Sequence, residues 1–459
     1  MMSKIRIEYD SMGKVEVPND VYYQAQTQRA LDNFQFSERR FPTPAIVALL
    51  DIKSAAAHAN SQLGLLDNAM AAAIQQAITA SKQLDFSTHF PLDLFQTGSG
   101  TSSNMNVNEV IASLASDILQ DKVHPNDHVN MGQSSNDVVP AGIHISTVRH
   151  LKALLYPAIN RLSDKLAFLA DEHVNLVKTG RTHLMDAMPI TLGQELQCWR
   201  LQLNAAQAKL QQAELNLHHL PLGGTAVGTG VNCDPRFAKL ACDYLQQQDQ
   251  HPWQAAPVPA LYMSSQDHTL AVASALKGLA ITLMKIANDL RWMNSGPIAG
   301  LQEISVTALQ PGSSIMPGKV NPVIPEAVAM IAAEVIGNET TITIAAQSGN
   351  FQLNVMLPLI ADKLLSSIDL LTHACQSMTD KVFADFAPNT DNLTQVLKKN
   401  PILATALNSV VGYDMAAKIA KRAHKEHKSV LDIALEETEL SEDKLTAILD
   451  PLHLAKPHQ

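Results

Sequence analysis

The chain has 459 residues, 46 % of them apolar and 17 % charged, with a formal net charge of −10. That much apolar matter supports a large core and excludes a disordered chain. The acidic balance argues against nucleic acid and anionic membrane surfaces as partners. Aromatics are only 5 %, while Ala, Leu and Gln abound. Such unbranched side chains lose little rotamer freedom in a helix, so the composition favours helix over sheet.

The first ten residues mix Lys4, Arg6, Glu8 and Asp10. They lack the apolar stretch of a secretory signal and the acid-free character of a transit peptide. The four cysteines, Cys198, Cys233, Cys242 and Cys375, form no Cys-x-x-Cys pair, which reads as reduced core thiols in a cytoplasmic protein. No run of about 18 apolar residues occurs, so no transmembrane helix is expected.

Residues 1–133 read as a mixed, mainly helical N-terminal domain. Within it, Thr97-Gly-Ser-Gly-Thr-Ser-Ser-Asn-Met-Asn106 is rich in small hydroxyls and glycines, and a helix is expected from about Val107. Accessible amides and hydroxyls at a helix start suit a carboxylate or a phosphate. An ordinary capped loop is the plain alternative. A dinucleotide fingerprint is not, because Gly98-x-Gly100-x-x-Ser103 lacks the third glycine and a preceding strand. In His124-Pro-Asn-Asp-His128 the two histidines have the spacing of a metal pair. Pro125 and the turn formers Asn126 and Asp127 argue against a regular helix there, and no metal is expected. Ser134-Ser-Asn-Asp137 offers four short polar residues where a cap needs one, which suggests a dense donor set.

Residues 134–388 read as a bundle of five long helices. Apolar residues recur at helical spacing from Val148 to Leu169, from Leu192 to Leu217, from Leu276 to Met293, more weakly from Pro325 to Ile344, and from Leu353 to Cys375. Helices of about 30 residues would be roughly 45 Å long. One chain's bundle cannot cover that much seam, so a homo-oligomer with a helical core is expected. No strand–helix alternation of the kind a parallel sheet needs is visible, and the fold class is all-α. Residues 389–459 read as a small helical domain.

Two segments interrupt the helices. In Gly180-Arg-Thr-His183, Arg181, Thr182 and the later Asp186 could set the protonation state of His183, although a lone histidine is more often structural. Pro311-Gly-Ser-Ser-Ile-Met-Pro-Gly-Lys-Val-Asn-Pro322 has three prolines and two glycines in twelve residues, which exclude a helix. It is no phosphate loop, because five residues separate its glycines and Val320 stands where Ser or Thr would hold Mg²⁺. What remains is two hydroxyls, a lysine and an amide on a loop that could close over a substrate.

These segments resemble the fumarase/aspartase superfamily, and its class II fumarase branch in particular. The likeness also takes in Asp10-Ser-Met-Gly13, Ala25-Gln-Thr-Gln28, Gly223-Gly-Thr-Ala-Val-Gly-Thr-Gly230 and Thr405-Ala-Leu-Asn408. Gly312–Pro322 matches the superfamily's signature loop. His183, where aspartate ammonia-lyases typically have Gln, and Pro317-Gly-Lys319 favour the fumarases. Pro322-Val-Ile-Pro-Glu326 leans toward the ammonia-lyases.

The resemblance implies a three-domain fold, no cofactor, and reversible hydration of fumarate to L-malate, a step of the citric acid cycle. It implies a homotetramer whose sites are shared between three subunits. By position, Ser313 matches the base that takes the C3 proton of malate. His183 matches the residue that, through a water, helps protonate the leaving hydroxyl, and Glu326 its paired carboxylate. Substrate contacts fall to Ser99, Gly100, Thr101, Ser134, Ser135, Asn136, Thr182, Ser314, Lys319, Val320 and Asn321. His124, Asn126 and Asp127 match a second dicarboxylate site, but Asp121 stands where some members have Arg. Met131-Gly132 replaces a frequent Lys-Ser. Ammonia addition to fumarate is the alternative activity. A purely structural role is the non-enzymatic one, against which the intact Ser313, His183, Lys319 and Glu326 set argues.

Overall fold

The computed structural model describes residues 5–456; the sequence reading of Met1 to Lys4 lies outside them. The chain divides into two compact units. One comprises residues 1–156, 208–278 and 333–371, the other 157–207, 279–332 and 372–459.

The first unit opens with an antiparallel hairpin, β1 (Ile5–Asp10) on β2 (Gly13–Pro18). The helices α1 (Ala25–Asn33), α2 (Thr43–Gln62), α3 (Asn68–Ser81) and α4 (Thr101–Leu119) follow. The alanines of α2 let backbones approach closely. This helix packs against α3, against α5 (Ser135–His150), and against a later helix at Phe237–Asp249. Ala48, Leu50, Ala55 and Ala59 of α2 are fully buried.

Helix α4 begins six residues before the expected Val107. Residues 102–109 are all buried, including Asn104, Asn106, Asn108 and Glu109. Their polarity hides the helical period in the sequence. Burial is tolerated because the groups are paired: the Glu109 carboxylate accepts the backbone N–H of Gln24, Gln26 and Thr27 and the Thr27 hydroxyl.

The long helices stand where the apolar spacing places them. Helix α5 runs through one π turn (Leu151–Leu155) into α6 (Tyr156–Glu172). After the hairpin β3 (Val177–Thr182) and β4 (Met185–Thr191) come α7 (Leu192–Glu214), α8 (Phe237–Asp249), α9 (Asp267–Met293), α10 (Val323–Ala346) and α11 (Leu357–Ser377). The seam residues Leu192, Leu196, Trp199, Leu203 and Leu210, and likewise Leu276, Leu279, Leu283, Ile286 and Leu290, are fully buried. The longest single α-helix has 27 residues, slightly short of expectation. Leu353 belongs not to α11 but to a tight hairpin of Gly349–Asn350 with Leu353–Asn354.

Helices α9 and α10 carry 18-residue windows of mean hydropathy 1.6 and 1.2, long and apolar enough to cross a membrane, although only 44 % and 33 % of those windows is buried within the chain. Lys277 in the one and Glu334 in the other interrupt these windows, so neither is an unbroken apolar run. One expectation is corrected, that all four cysteines are core thiols. Of the cysteines, Cys242 and Cys375 are buried, but Cys198 is exposed and Cys233 half-buried. Cys198 lies next to the seam residue Trp199, on the side of α7 turned outward.

In the second unit the C-terminal segment has a core of its own, with Leu403, Leu407, Ile419, Ile433 and Leu445 at its centre. It is built on α12 (Thr390–Lys398), α13 (Tyr413–Glu426) and α14 (Val430–Glu437) with shorter turns.

Candidate active site

In the first unit, Gly100 caps α4 in the left-handed region at φ +72°, and a Cβ there would lie 2.8 Å from Val139 Cγ1. Glycine is therefore required twice over, for its dihedral and for its space. The turn it makes brings three predicted contacts together. Ser99 Oγ lies 2.7 Å from Thr101 Oγ1, which lies 2.7 Å from Ser135 Oγ.

Ser134 also caps a helix. Its hydroxyl accepts the Asn136 N–H and Asp137 accepts the Ser134 N–H, a capping box at the start of α5. The other Asp137 oxygen accepts the Thr225 N–H at 2.7 Å, and the Asn136 amide donates to Ala226 O. These bonds fasten the glycine-rich stretch 223–230 to the Ser134 turn.

Below this turn is a residue that sequence reasoning missed. Lys53 of α2 is fully buried, and its Nζ donates to Asn130 Oδ1 at 2.8 Å and Gln133 Oε1 at 3.0 Å. Burial pushes Lys53 down to about 7, opposed by the charge of Asp137. Burial pushes Asp137 up to about 7, opposed by the Ser134 and Thr225 N–H groups and by Lys53. The signal available in the sequence was a lone lysine on an alanine-rich helix.

His124 caps a π turn (Pro125–Val129): its Nδ1 accepts the N–H of Asn126 and of Asp127, and the neighbouring His128 Nδ1 accepts the His124 N–H. A ring nitrogen that accepts two N–H groups carries its lone pair there. The 3.2 Å approach of Asp127 Oδ2 to the same atom is therefore no hydrogen bond while the ring is neutral.

In the second unit, β3 and β4 pair with Thr182 opposite Met185. His183 and Leu184 are the two loop residues, at φ +54° and +61°. Positive φ at both positions is the type I′ geometry that matches the twist of a tight hairpin. Thr182 and His183 are exposed at the tip, together with Leu184 and Met185. Thr182 and His183 line a cavity of about 1070 Å³ with Arg181 and Lys178. Among the described residues, no hydrogen bond joins His183 to Glu326.

The loop 311–322 is closed at its neck. Gly312 N–H donates to Lys319 O at 2.8 Å, and the Asn321 amide donates to Gly312 O at 2.9 Å. Within the loop, Ser313 Oγ accepts the N–H of Ile315 at 3.2 Å and of Met316 at 3.1 Å. Two amide donors on one hydroxyl oxygen favour its deprotonated form. Ser314, Lys319 and Val320 are exposed. Lys319, Val320, Asn321 and Glu326 share a cavity of about 710 Å³ with Asn288 and Arg291; Glu326 lies in the first turn of α10.

The chain was compared with known proteins. Residues 13–337 match the family model described as lyase, and residues 403–456 the one described as fumarase C C-terminus. A fumarate hydratase class II of Pseudomonas aeruginosa is 52 % identical over 98 % of both chains. One of Thermus thermophilus is 47 % identical over 99 % of both. The crystal structure of a class II fumarase from Schistosoma mansoni superposes with a TM-score of 0.96 at 36 % identity, covering 99 % of this chain and 100 % of that one.

Proposed function

We infer that this chain, which belongs to the class II fumarate hydratase family, is a lyase that adds water reversibly to fumarate to give L-malate, with Ser313 as the base. Its fold is the all-α fumarase/aspartase fold. The observation that carries the assignment of the base is the pair of amide donors on Ser313 Oγ, which Ser314 lacks among the described residues.

In the dehydration direction Ser313 takes the C3 proton of malate. The electron pair moves toward the neighbouring carboxylate and gives a dianionic, aci-carboxylate intermediate. Fixed donors and a cation stabilise that charge more than they stabilise the ground state. Lys319, Asn321, Ser314 and Val320 on the loop are assigned to this task. The hydroxyl row Ser99, Thr101 and Ser135, with Gly100, Ser134, Asn136 and Thr182, holds the substrate carboxylates. His183, through a water and paired with Glu326, protonates the departing hydroxyl. We propose that other copies in a homotetramer complete the site. The half-covered faces of α9 and α10 support the same assembly. We place the enzyme in the cytoplasm, assign no nucleic-acid or membrane partner, and leave the His124, Asn126 and Asp127 turn as a second anion site only by analogy.

Ser313→Ala is expected to lower malate dehydration by about 10²–10⁴-fold, the usual contribution of a positioned base. Near wild-type turnover would remove Ser313 from the mechanism. The wild-type protein is offered L-malate and L-aspartate separately. Ammonia release from aspartate without malate turnover would replace hydration by ammonia elimination. Sedimentation of the wild-type protein at the mass of one chain would overturn the tetramer.

A further inference from the structure

The hairpin that carries His183 has an anchor to which the mechanism above assigns no role. Lys178 of β3 is buried, and its Nζ reaches Glu303 Oε2 at 2.5 Å and Glu195 Oε2 at 2.7 Å. Arg181, two residues before His183, places Nη1 2.6 Å from the other oxygen of Glu303. The Lys178 and Glu303 side chains are each only 3 % exposed. Two cations and two carboxylates thus form a neutral quartet, and both oxygens of Glu303 are spent on β3.

The geometry needed a special strand. Side chains along a regular strand alternate, so Lys178 and Arg181, three apart, belong on opposite faces. The register steps from Thr179↔Pro189 to Arg181↔Asp186, leaving Gly180 opposite two residues, Ala187 and Met188. Such a bulge adds local twist. A Cβ on Gly180 would lie 2.5 Å from Met188 O, which leaves no room for any other residue. With that twist, Lys178 and Arg181 meet the same carboxylate.

Glu303 is itself immobile. Its N–H donates to Met293 O and its carbonyl accepts the Asn389 N–H, both at 2.8 Å. At the far end of the hairpin, by contrast, Thr182, His183, Leu184 and Met185 are all exposed, and no hydrogen bond from the His183 ring to another described residue holds it. The direction in which His183 points is therefore inherited from the backbone of β3.

We propose that Glu303 is a positioning residue for His183: it fixes β3, the strand opposite the bulge, through Arg181 and Lys178 and so sets where the imidazole stands during hydration and dehydration. This rests on the role given to His183 above. Misplacing a reacting group by about 1 Å costs on the order of 10²-fold in rate, and that is the size of effect at stake.

The test is a double-mutant cycle in the full-length protein, with kcat, KM, oligomeric mass and circular dichroism measured for each variant. Glu303→Gln keeps the shape and removes the charge. Its kcat for malate dehydration is expected to fall about 10–100-fold, with KM changed less than kcat. Arg181→Gln removes only the outer arm and leaves the buried Lys178–Glu303 contact intact. It is expected to fold as wild type and to lower kcat in the same sense. In a His183→Asn background, either change is expected to add almost nothing, because residues acting through one group are not additive. Full additivity in that background, or a folded Arg181→Gln protein with kcat within about twofold of wild type, would overturn the proposal. If His183→Asn alone left kcat unchanged, the role of His183 would fall first, and the origin of the fault would be plain.

Discussion

Replacing Lys53 by Met removes a buried amine while keeping most of its volume. Two consequences oppose each other. Burial pushes Lys53 from 10.5 down to about 7, so at pH 8 the folded chain gives up a proton that the unfolded chain keeps, a cost of about 3 kcal/mol at roughly 1.4 kcal/mol per unit. Removing the amine relieves that. It also leaves Gln133 Oε1 without its donor, at about 1–3 kcal/mol for a buried orphaned amide, and takes away the charge that opposes the raising of Asp137. Asn130 Oδ1 is spared, because the amides of Asn104 and Asn108 still donate to it.

The two nearly cancel, and Lys53→Met is expected to stay within about 2 kcal/mol of wild type at pH 8. The pH dependence has a fixed sign. Asp137 sits above its ordinary value in the fold and rises further without Lys53, so the folded state binds the extra proton and gains stability as pH falls. The wild type loses stability as Lys53 protonates through about 7, so the variant gains on it between pH 8 and 5. Urea unfolding of Lys53→Met, Asp137→Asn and the double variant measures this. The double variant should lose less than the sum of the singles. A Lys53→Met protein that did not gain on wild type between pH 8 and 5, or strict additivity, would refute the coupling.

Other outcomes follow from single contacts. Gly98→Ala would put a Cβ 1.7 Å from Val355 O, beside the bond from Leu357 N–H to Gly98 O; a loss of at least about 3 kcal/mol is expected, read as a lowered urea midpoint. His144 is fully buried with Nδ1 3.0 Å from the His219 carbonyl, and burial pushes it down to about 4. The unfolded chain takes up that proton first, so stability is lost as pH falls from about 6.5 toward 4, and His144→Gln should flatten that part of the stability–pH curve. Ser313→Thr keeps the acceptor but adds a methyl group in the neck-closed loop; kcat should fall while the circular dichroism spectrum stays unchanged.

What the sequence disclosed follows the physics of periodicity. The helices of the middle third were legible because their cores are leucine at steps of three and four, as in Leu192 to Leu210. The start of α4 was not, because its buried face is asparagine, serine and glutamate held by partners distant in sequence. Ser134 as a cap and the irregular loop 311–322 were legible from local chemistry. The quartet around Glu303 was not: Lys178 and Glu303 are 125 residues apart, and only the folded chain brings them together. Lys53 was hidden for the opposite reason, since a lysine on a helix is ordinarily a solvated one.

The turn around Ser313 also bears on when the enzyme is dangerous to its own substrate. On the assignment made above, the basic strength of this hydroxyl is conferred by the Ile315 and Met316 amides, which reach it only while the chain is bent as it is now. Straightened, the same oxygen is an ordinary alcohol and abstracts nothing. Reactivity is thus a property of a bend in the backbone.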